Sequence, residues 1–522
     1  MKKSSNVDLM RSNKIIEYIK SCSEKSSDIS YRKVKFNDEY IYIVYADSMS
    51  STDLISNFII KSIVDISKNK EEISLYEKQN FEEKNAKEKW HKYVEDKNSE
   101  KKKSQYLILN YIEDKISINN VKNLDFEKDD LFYYIFSGFA LIIYKDGILA
   151  LETKKNVDRS IDKPIIENNI RGPKDAFNES FMTNVGLIRK RIKTEKLVLK
   201  EQKVGRRTKT KVGIMYVSDI AKKDMVKHIE DYLKKIDIDG ILDSNYIVEF
   251  IEQNNNSDFP TVVMTEKPDL VSYYLLQGRV AIIVENSPFV IVVPAFLQDF
   301  VNNIDDSYVK NSNIIITRII RYIAFVLTII TPALYIALIT FDQESIPTDL
   351  LISFAKQRDS VPFPAFVEAM LMIISFEILR ETDYRVPNVA GNTLSIVGAL
   401  ILGDAAVSAG IVSPIMIIVI AITMISGLMF SDINILNSLR TWRLIFLFFA
   451  SISGIFGIGI ATMFLIIKMC SITSMGKPYT YPIAPLNFSQ LDKDFITREN
   501  ISKDRNRQKI LTNNLIKLKN KQ

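Results

Sequence analysis

Tyr322 to Phe341 reads YIAFVLTIITPALYIALITF, twenty residues without one charge. A helix of that length rises about 30 Å, the thickness of bilayer hydrocarbon, so the stretch is a candidate membrane span. Arg318 and Arg321 stand just ahead of it, where they would reach lipid headgroups. Further apolar runs follow at Gly391–Val412, Pro414–Ser431 and Leu444–Ile467, the last stopped by Lys468. Upstream the composition reverses: from Met1 to about Lys310 the chain is rich in Lys, Glu, Asp and Asn. The 522 residues therefore divide into a water-soluble N-terminal region and an apolar helical one.

The totals exclude several classes of function. A net charge of +6 with no strongly basic domain argues against a nucleic-acid partner. Cys22 and Cys470 form no disulfide framework, CxxC or zinc pattern, and His91 and His228 are too few for a histidine-rich metal site. The N-terminus MKKSSNVDLMRSNK lacks the apolar core of a signal peptide, which predicts a cytoplasmic first region.

The soluble part repeats itself. YYIFSGFALII from Tyr133 aligns without a gap on YYLLQGRVAII from Tyr273. Each reads as a helix end, a glycine cap (Gly138, Gly278), an apolar strand, then a turn and a second strand. A strand-then-helix pattern lies upstream of both, from Ile41 and from Gly213. The expectation is an N-terminal tail over residues 1–30 and two related α/β subdomains, 31–157 and 177–304. The first carries a charged insertion at about 68–104. No GxxxxGK[ST], GxGxxG opening a helix or GxSxG occurs, so no catalytic, cofactor-binding or metal residue is expected. GRRTKTK (Gly205–Lys211) and the two aspartates of IDIDG, Asp237 and Asp239, read as a solvated loop and a turn.

Between the apolar runs lies VPFPAFVEAMLMIISFEILRETDYRVP, from Val361 to Pro387. It places Glu368 and Glu377 in membrane-type sequence, where a carboxylate costs roughly 3 kcal/mol even on the gentlest scale. The two point to opposite faces of a helix, and Glu377 can pair with Arg380. A re-entrant or interfacial helix over 361–380 follows. The tail from Lys468 to Gln522 holds eleven Lys and Arg against four Asp and Glu, which keeps it cytoplasmic. Four crossings (322–341, 391–412, 414–431, 444–467) within a membrane domain of 313–467 then return the basic tail, 468–522, to the starting side. Arg440 and Arg443 fall in an external loop on this count. Small residues recur at spacing four as Ser395, Ala399 and Gly403, and again as Ser453, Gly457 and Ala461, a pattern for close helix packing. Asp404 sits mid-span with Ser408 one turn on. Two readings stand side by side: a carboxylate facing water or a partner subunit, and one bonded to a neighbouring helix.

The motifs fall in a fixed order: ESFMTNVGLIRKRIK, GRRTKTKVGIMYV, IDIDGILDSNYI, FPTVVMTEKPD, LLQGRVAIIVENSPFVIVVP, TPALYIALITF, IPTDLL, VPFPAFVEA, FEILRETDYRVP, SIVGALILGDAAVSAGIVSP and KPYTYPIAPLN. In this order the chain resembles, from about Phe36 to Asn487, the A subunit of the GerA-type spore germination receptors. The resemblance implies a multidomain protein: a duplicated α/β soluble region followed by an all-α polytopic membrane domain, in the inner membrane of a bacterial endospore. It implies no enzyme and no cofactor. The implied partners are a transporter-like B subunit, a C-subunit lipoprotein, further copies of the chain, membrane lipid and monovalent cations. The implied function is a germinant-gated cation channel; the alternative is a non-conducting sensory or coupling scaffold of a germination or dipicolinate-release complex. On the channel reading Val397, Ile401, Asp404 and Ser408 line the pore, and Glu368 and Glu377 line a vestibule or pair across subunits. Relatives are expected to carry an amide where this chain has Asp404.

Overall fold

The computed structural model describes residues 2–68, 109–385, 403–488 and 506–517, apart from short breaks, chiefly 156–163, 168–171 and 253–256. The charged insertion expected at 68–104 lies outside the described residues, apart from Lys68 itself.

Helix α1 (Lys2–Ser23) opens the chain. Residues 1–30 were expected to form a tail, but Ile15, Ile16 and Ile19 give α1 a buried face against the first sheet. That sheet contains β1 (Ile29–Phe36), β2 (Glu39–Ala46), β3 (Val121–Leu124), β4 (Phe139–Tyr144) and β5 (Gly147–Glu152), in the order β1-β2-β4-β5-β3. The second holds β6 (Leu197–Val204), β7 (Thr210–Val217), β8 (Val263–Thr265), β9 (Val280–Val284) and β10 (Val290–Val293), in the order β6-β7-β9-β10-β8. Adding five to each strand of the first order gives the second. The pairs within both sheets are antiparallel. Ahead of β4 runs α2 (Leu131–Ile135), and ahead of β9 runs α4 (Pro268–Gln277), introduced below after α3. Gly138 (φ +87°) and Gly278 (φ +102°) stop these helices in the left-handed conformation that a side chain disfavours.

Alternation in the strands loads both faces of each sheet. On the second sheet, Val280, Ile282, Val284, Ile291 and Val293 pack toward one core. Ala281, Ile283, Val290 and Val292 pack toward another that continues into the helical bundle.

The two sheets are joined through one buried ion pair. Helix α3 (Phe181–Arg191) precedes β6 and carries Arg189. Its Nε and Nη2 donate to the two oxygens of Asp28 at 2.9 Å each, and both side chains are 0% exposed. Ser26 and Ser48 complete the shell, and the guanidinium stacks 4.2 Å from the Phe136 ring. Burial pushes the Asp28 carboxyl up, but Arg189 and the two serines outweigh it and hold the group below its usual range. In GRRTKTK, Arg206 donates to both oxygens of Asp237 at 2.5 Å on the surface, so the loop and the IDIDG turn pair with each other.

Beyond the second sheet lies the bundle. It holds α5 (Asn311–Thr340), α6 (Thr348–Arg358), α7 (Ala365–Arg385), α8 (Pro414–Gly427) and α9 (Ile433–Ser471). Among the described residues, Ile314–Thr340 and Ile433–Ser471 are long and apolar enough to cross a membrane. Arg318 and Arg321, expected at headgroups, instead hold Asp306 at 3.2 and 2.8 Å. An acid twelve residues upstream of Arg318 was simply the nearer partner.

The expected single span Leu444–Ile467 straddles a break. Ser453 (φ −135°, ψ 17°) and Gly454 (φ 57°, ψ −137°) interrupt α9. Beyond it the rings of Phe449 and Phe464 meet at 6.0 Å, although fifteen residues of straight helix would separate them by about 22 Å. The limbs 433–452 and 455–471 therefore fold back on each other. At Gly457 a Cβ would stand 2.0 Å from the Phe449 carbonyl oxygen, so the approach admits only glycine. Arg440 and Arg443, expected in an external loop, lie on the first limb, near its start.

The chain leaves the bundle where it entered. Ser474 Oγ donates to the Thr261 carbonyl at 2.5 Å and accepts from Ala295 N at 2.9 Å, tying the end of α9 to the second sheet's domain. Residues 506–517 of the basic tail lie across the same domain, with Arg507 Nε donating to the Leu276 carbonyl at 2.8 Å.

Arg189→Leu strands the Asp28 charge in the interior and is expected to cost about 3–5 kcal/mol of unfolding free energy, whereas Asp28→Leu with Arg189→Leu recovers most of it. Denaturant unfolding of the purified protein, followed by circular dichroism, checks both.

Candidate functional site

The chemistry of the bundle is concentrated in its carboxylates. Helix α7 starts just after the VPFP turn, where Pro364 gives its carbonyl to Glu368 N at 3.0 Å. Glu368 and Glu377 are nine residues apart on it, which at 100° per residue puts them on opposite faces. Each face has its own partners.

Glu368 is fully buried. Its Oε1 accepts from Ser413 N at 2.6 Å and from Ser413 Oγ at 2.5 Å. Ser413 is the residue before α8, with Pro414 at the first helical position. The carboxylate thus sits on the positive end of α8 and supplies a cap that this terminus would otherwise take from its own side chains. Arg358, at the end of α6, stands 3.8 Å from Oε2. Ala365, Ala369, Met372 and Ile373 seal the site against Tyr335, Ile336 and Ile339 of α5.

Glu377 is met by three arginines. Arg380 hydrogen-bonds it one turn on, as the spacing predicts. Arg443 Nη2 donates to Oε1 at 2.9 Å, and Arg440 Nε stands 3.3 Å from Oε2. Arg443 is 3% exposed, so its charge is tolerable only with this carboxylate beside it. The expectation that Glu368 and Glu377 line a vestibule or pair across subunits meets a different arrangement: both are engaged inside one chain, by residues 45 and 66 positions away.

A third acid escaped the sequence reading. Asp342, just past α5, accepts from Ile455 N at 2.9 Å through Oδ2, capping the second limb of α9 across the break. Its signal was the lone aspartate closing TFDQES, meaningless without knowing that Gly454 reverses the chain. Asp432 caps the first limb from the local position, accepting from Asn434 N at 2.7 Å and Ile435 N at 3.3 Å.

Asp404 and Ser408 share the exposed side of a short helical stretch, 403–408, while Ala406 and Val412 turn toward the bundle core. Gly403 lies 3.9 Å, from an added Cβ, to Ile417 of α8. Val397, Ile401, Ser395 and Ala399 lie outside the described residues. In the second stripe, Gly457 and Ala461 are buried as expected from helix packing, but Ser453 is exposed because the break rotates it outward and buries Gly454 instead.

At the junction with the second sheet's domain, a smaller cavity of about 150 Å³ takes in Glu167, Lys267, Asn302 and Arg321. Burial raises the Glu167 carboxyl to about 7, against hydrogen bonds from Thr265 and Glu266 N and the nearby Lys267 charge. Among the described residues no group of three or more His, Cys, Asp and Glu gathers as for a metal ion.

A pair of matching α/β sheets docked on an apolar helical bundle with internally satisfied acids defines a class, and comparison with known proteins places it. Residues 17–510 match the family model described as Bacillus/Clostridium GerA spore germination protein. The chain is 41% identical over 373 residues to spore germination protein KA of Bacillus subtilis (strain 168), covering 71% of this chain and 68% of that one. It is 39% identical over 358 residues to the uncharacterized membrane protein YfkQ of Bacillus subtilis (strain 168), covering 68% and 70%. Among solved structures, the N-terminal domain of the A subunit of the Bacillus megaterium spore germinant receptor GerK3 aligns at 31% identity, covering 54% of this chain and 94% of that one, with a TM-score of 0.37. The chain belongs to the GerA spore germination protein family.

Glu377→Leu leaves three guanidiniums without their carboxylate and is expected to lower stability by about 3–5 kcal/mol. Arg440→Gln, which leaves Arg380 and Arg443 in place, is expected to cost about 1 kcal/mol or less. Thermal melting of the detergent-purified variants tests the asymmetry.

Proposed function

We propose that this chain is the A subunit of a nutrient germinant receptor in the endospore inner membrane. It acts there with a transporter-like B subunit and a C-subunit lipoprotein. Several copies surround a water-filled path for monovalent cations, and germinant binding elsewhere in the complex shifts the closed state toward the open one.

The membrane reading draws on the direction of the helices. α5 begins at the sheet domain and ends at Asp342, beside the turn of α9. α8 runs the other way, from Ser413 near Tyr335 to Gly427 beside Thr328. The two limbs of α9 go out and back. A chain that enters and leaves on one face crosses an even number of times, as the basic tail requires. YfkQ, the relative described as a membrane protein, is consistent with this.

The observation that carries the channel reading is the position of Asp404. Glu368, Glu377, Asp342 and Asp432 are spent on helix termini or arginines, but Asp404 and Ser408 lie together on an exposed face. A carboxylate presented at that depth needs water or a partner copy, and a ring of them would concentrate cations. Val397 and Ile401 continue the same face by helical spacing.

Potassium flux through the purified protein in liposomes tests the reading. Flux is expected, with Asp404→Asn reducing it severalfold. A protein that assembles normally yet passes no potassium, with or without the substitution, would support the non-conducting scaffold instead.

A further inference from the structure

Below the first turns of α7, this helix and the first limb of α9 part around an open cleft of about 460 Å³. Its upper wall is aliphatic, made by Met370, Ile373, Ile374 and Leu444. Its lower end is charged, made by Glu377 and Arg440, with Glu381 and Thr382 beyond them. From Met370 to Thr382 the polarity reverses within twelve residues, about 18 Å of helix.

The level of this reversal is fixed by neighbouring contacts. One turn either side of Arg440, Ser438 Oγ donates to the Asp258 carbonyl and Trp442 stacks 6.4 Å from Phe259. Both partners belong to the second sheet's domain. The charged end therefore lies where the bundle meets that domain, and the aliphatic end points into the bundle.

We infer that the cleft holds one anionic phospholipid, its phosphate on Arg440 and its acyl chain along the aliphatic wall of α7 and α9. The inference rests on the membrane reading given above. Three guanidiniums, Arg380, Arg440 and Arg443, face two carboxylates, Glu377 and Glu381, leaving one positive charge for one phosphate. Arg440 is the one placed to meet it: it lines the cleft, and its Nε approaches Glu377 at 3.3 Å without a well-formed hydrogen bond. Ile374 and Ile378 extend the apolar wall outward, being 49% and 62% exposed, as a surface meant for an acyl chain rather than for water. A zwitterionic lipid would fit the wall equally but would bring its own cation to the charged end, so the cleft selects for net negative headgroups.

Native mass spectrometry of the full-length protein, released from mixed phosphatidylglycerol and phosphatidylcholine micelles, tests this. The wild type is expected to retain phosphatidylglycerol preferentially. Arg440→Gln should reduce that retention about fivefold, the effect of one arginine at a lipid surface. Ile378→Trp, which fills the cleft without touching the charges, should abolish it while leaving the melting temperature unchanged. Equal retention in all three proteins would overturn the inference. So would competition by inorganic phosphate as effective as by lipid, which would reveal a bare anion site. Loss of lipid accompanied by a change in the mass of the assembly would show that a second copy covers the cleft. Flotation of the wild type with vesicles is the separate control: a protein that floats but retains lipid unselectively defeats this inference alone.

Discussion

A carboxylate removed from water must receive its hydrogen bonds from the protein, and in this bundle it receives them chiefly from the starts of other helices. Glu368 serves the first turn of α8, and Asp342 serves the second limb of α9. In each case a charge that would be costly alone completes a backbone terminus that would be costly alone. The bonds are also long-range in sequence, so they fix which helix lies beside which. The packing of alanines and isoleucines in between can then be close without having to choose the arrangement.

The same economy joins the bundle to the soluble part. Asp306 holds Arg318 and Arg321 where the chain enters α5, and Ser474 is tied to Thr261 and Ala295 where it leaves α9. Phe259 and Tyr479, with ring centroids 6.3 Å apart, sit between these two anchors and lie in the same core as the second sheet and the bundle. Movement of the second sheet would thus be felt at the base of α5 and α9 together. The first sheet connects less broadly, and Asp28 with Arg189 is its buried polar link to the rest.

Much of the architecture was legible because its signals are local. The uncharged run after Arg321 became a helix, and the Tyr-Tyr and Gly repeat became two sheets of one strand order. What stayed hidden depends on pairing at a distance. Ser413 is an unremarkable serine until Glu368 is placed against it, and Arg440 and Arg443 looked like loop residues until Glu377 was set beside them. The reversal at Gly454 was masked by its surroundings, since SISGIFGIG is as apolar as the helix it interrupts. Composition cannot distinguish one long span from two limbs folded together. Asp404 was visible at once, being a charge with no local partner on its own helix.

The folding back of α9 is what returns the chain to its starting face and places the acid caps where they act. A spin-label distance measurement between Ile433→Cys and the exposed native Cys470, in a Cys22→Ser background, tests it directly. A straight helix would separate these sites by about 55 Å. The account predicts a distance less than half of that, and a distribution centred near the straight-helix value would contradict it.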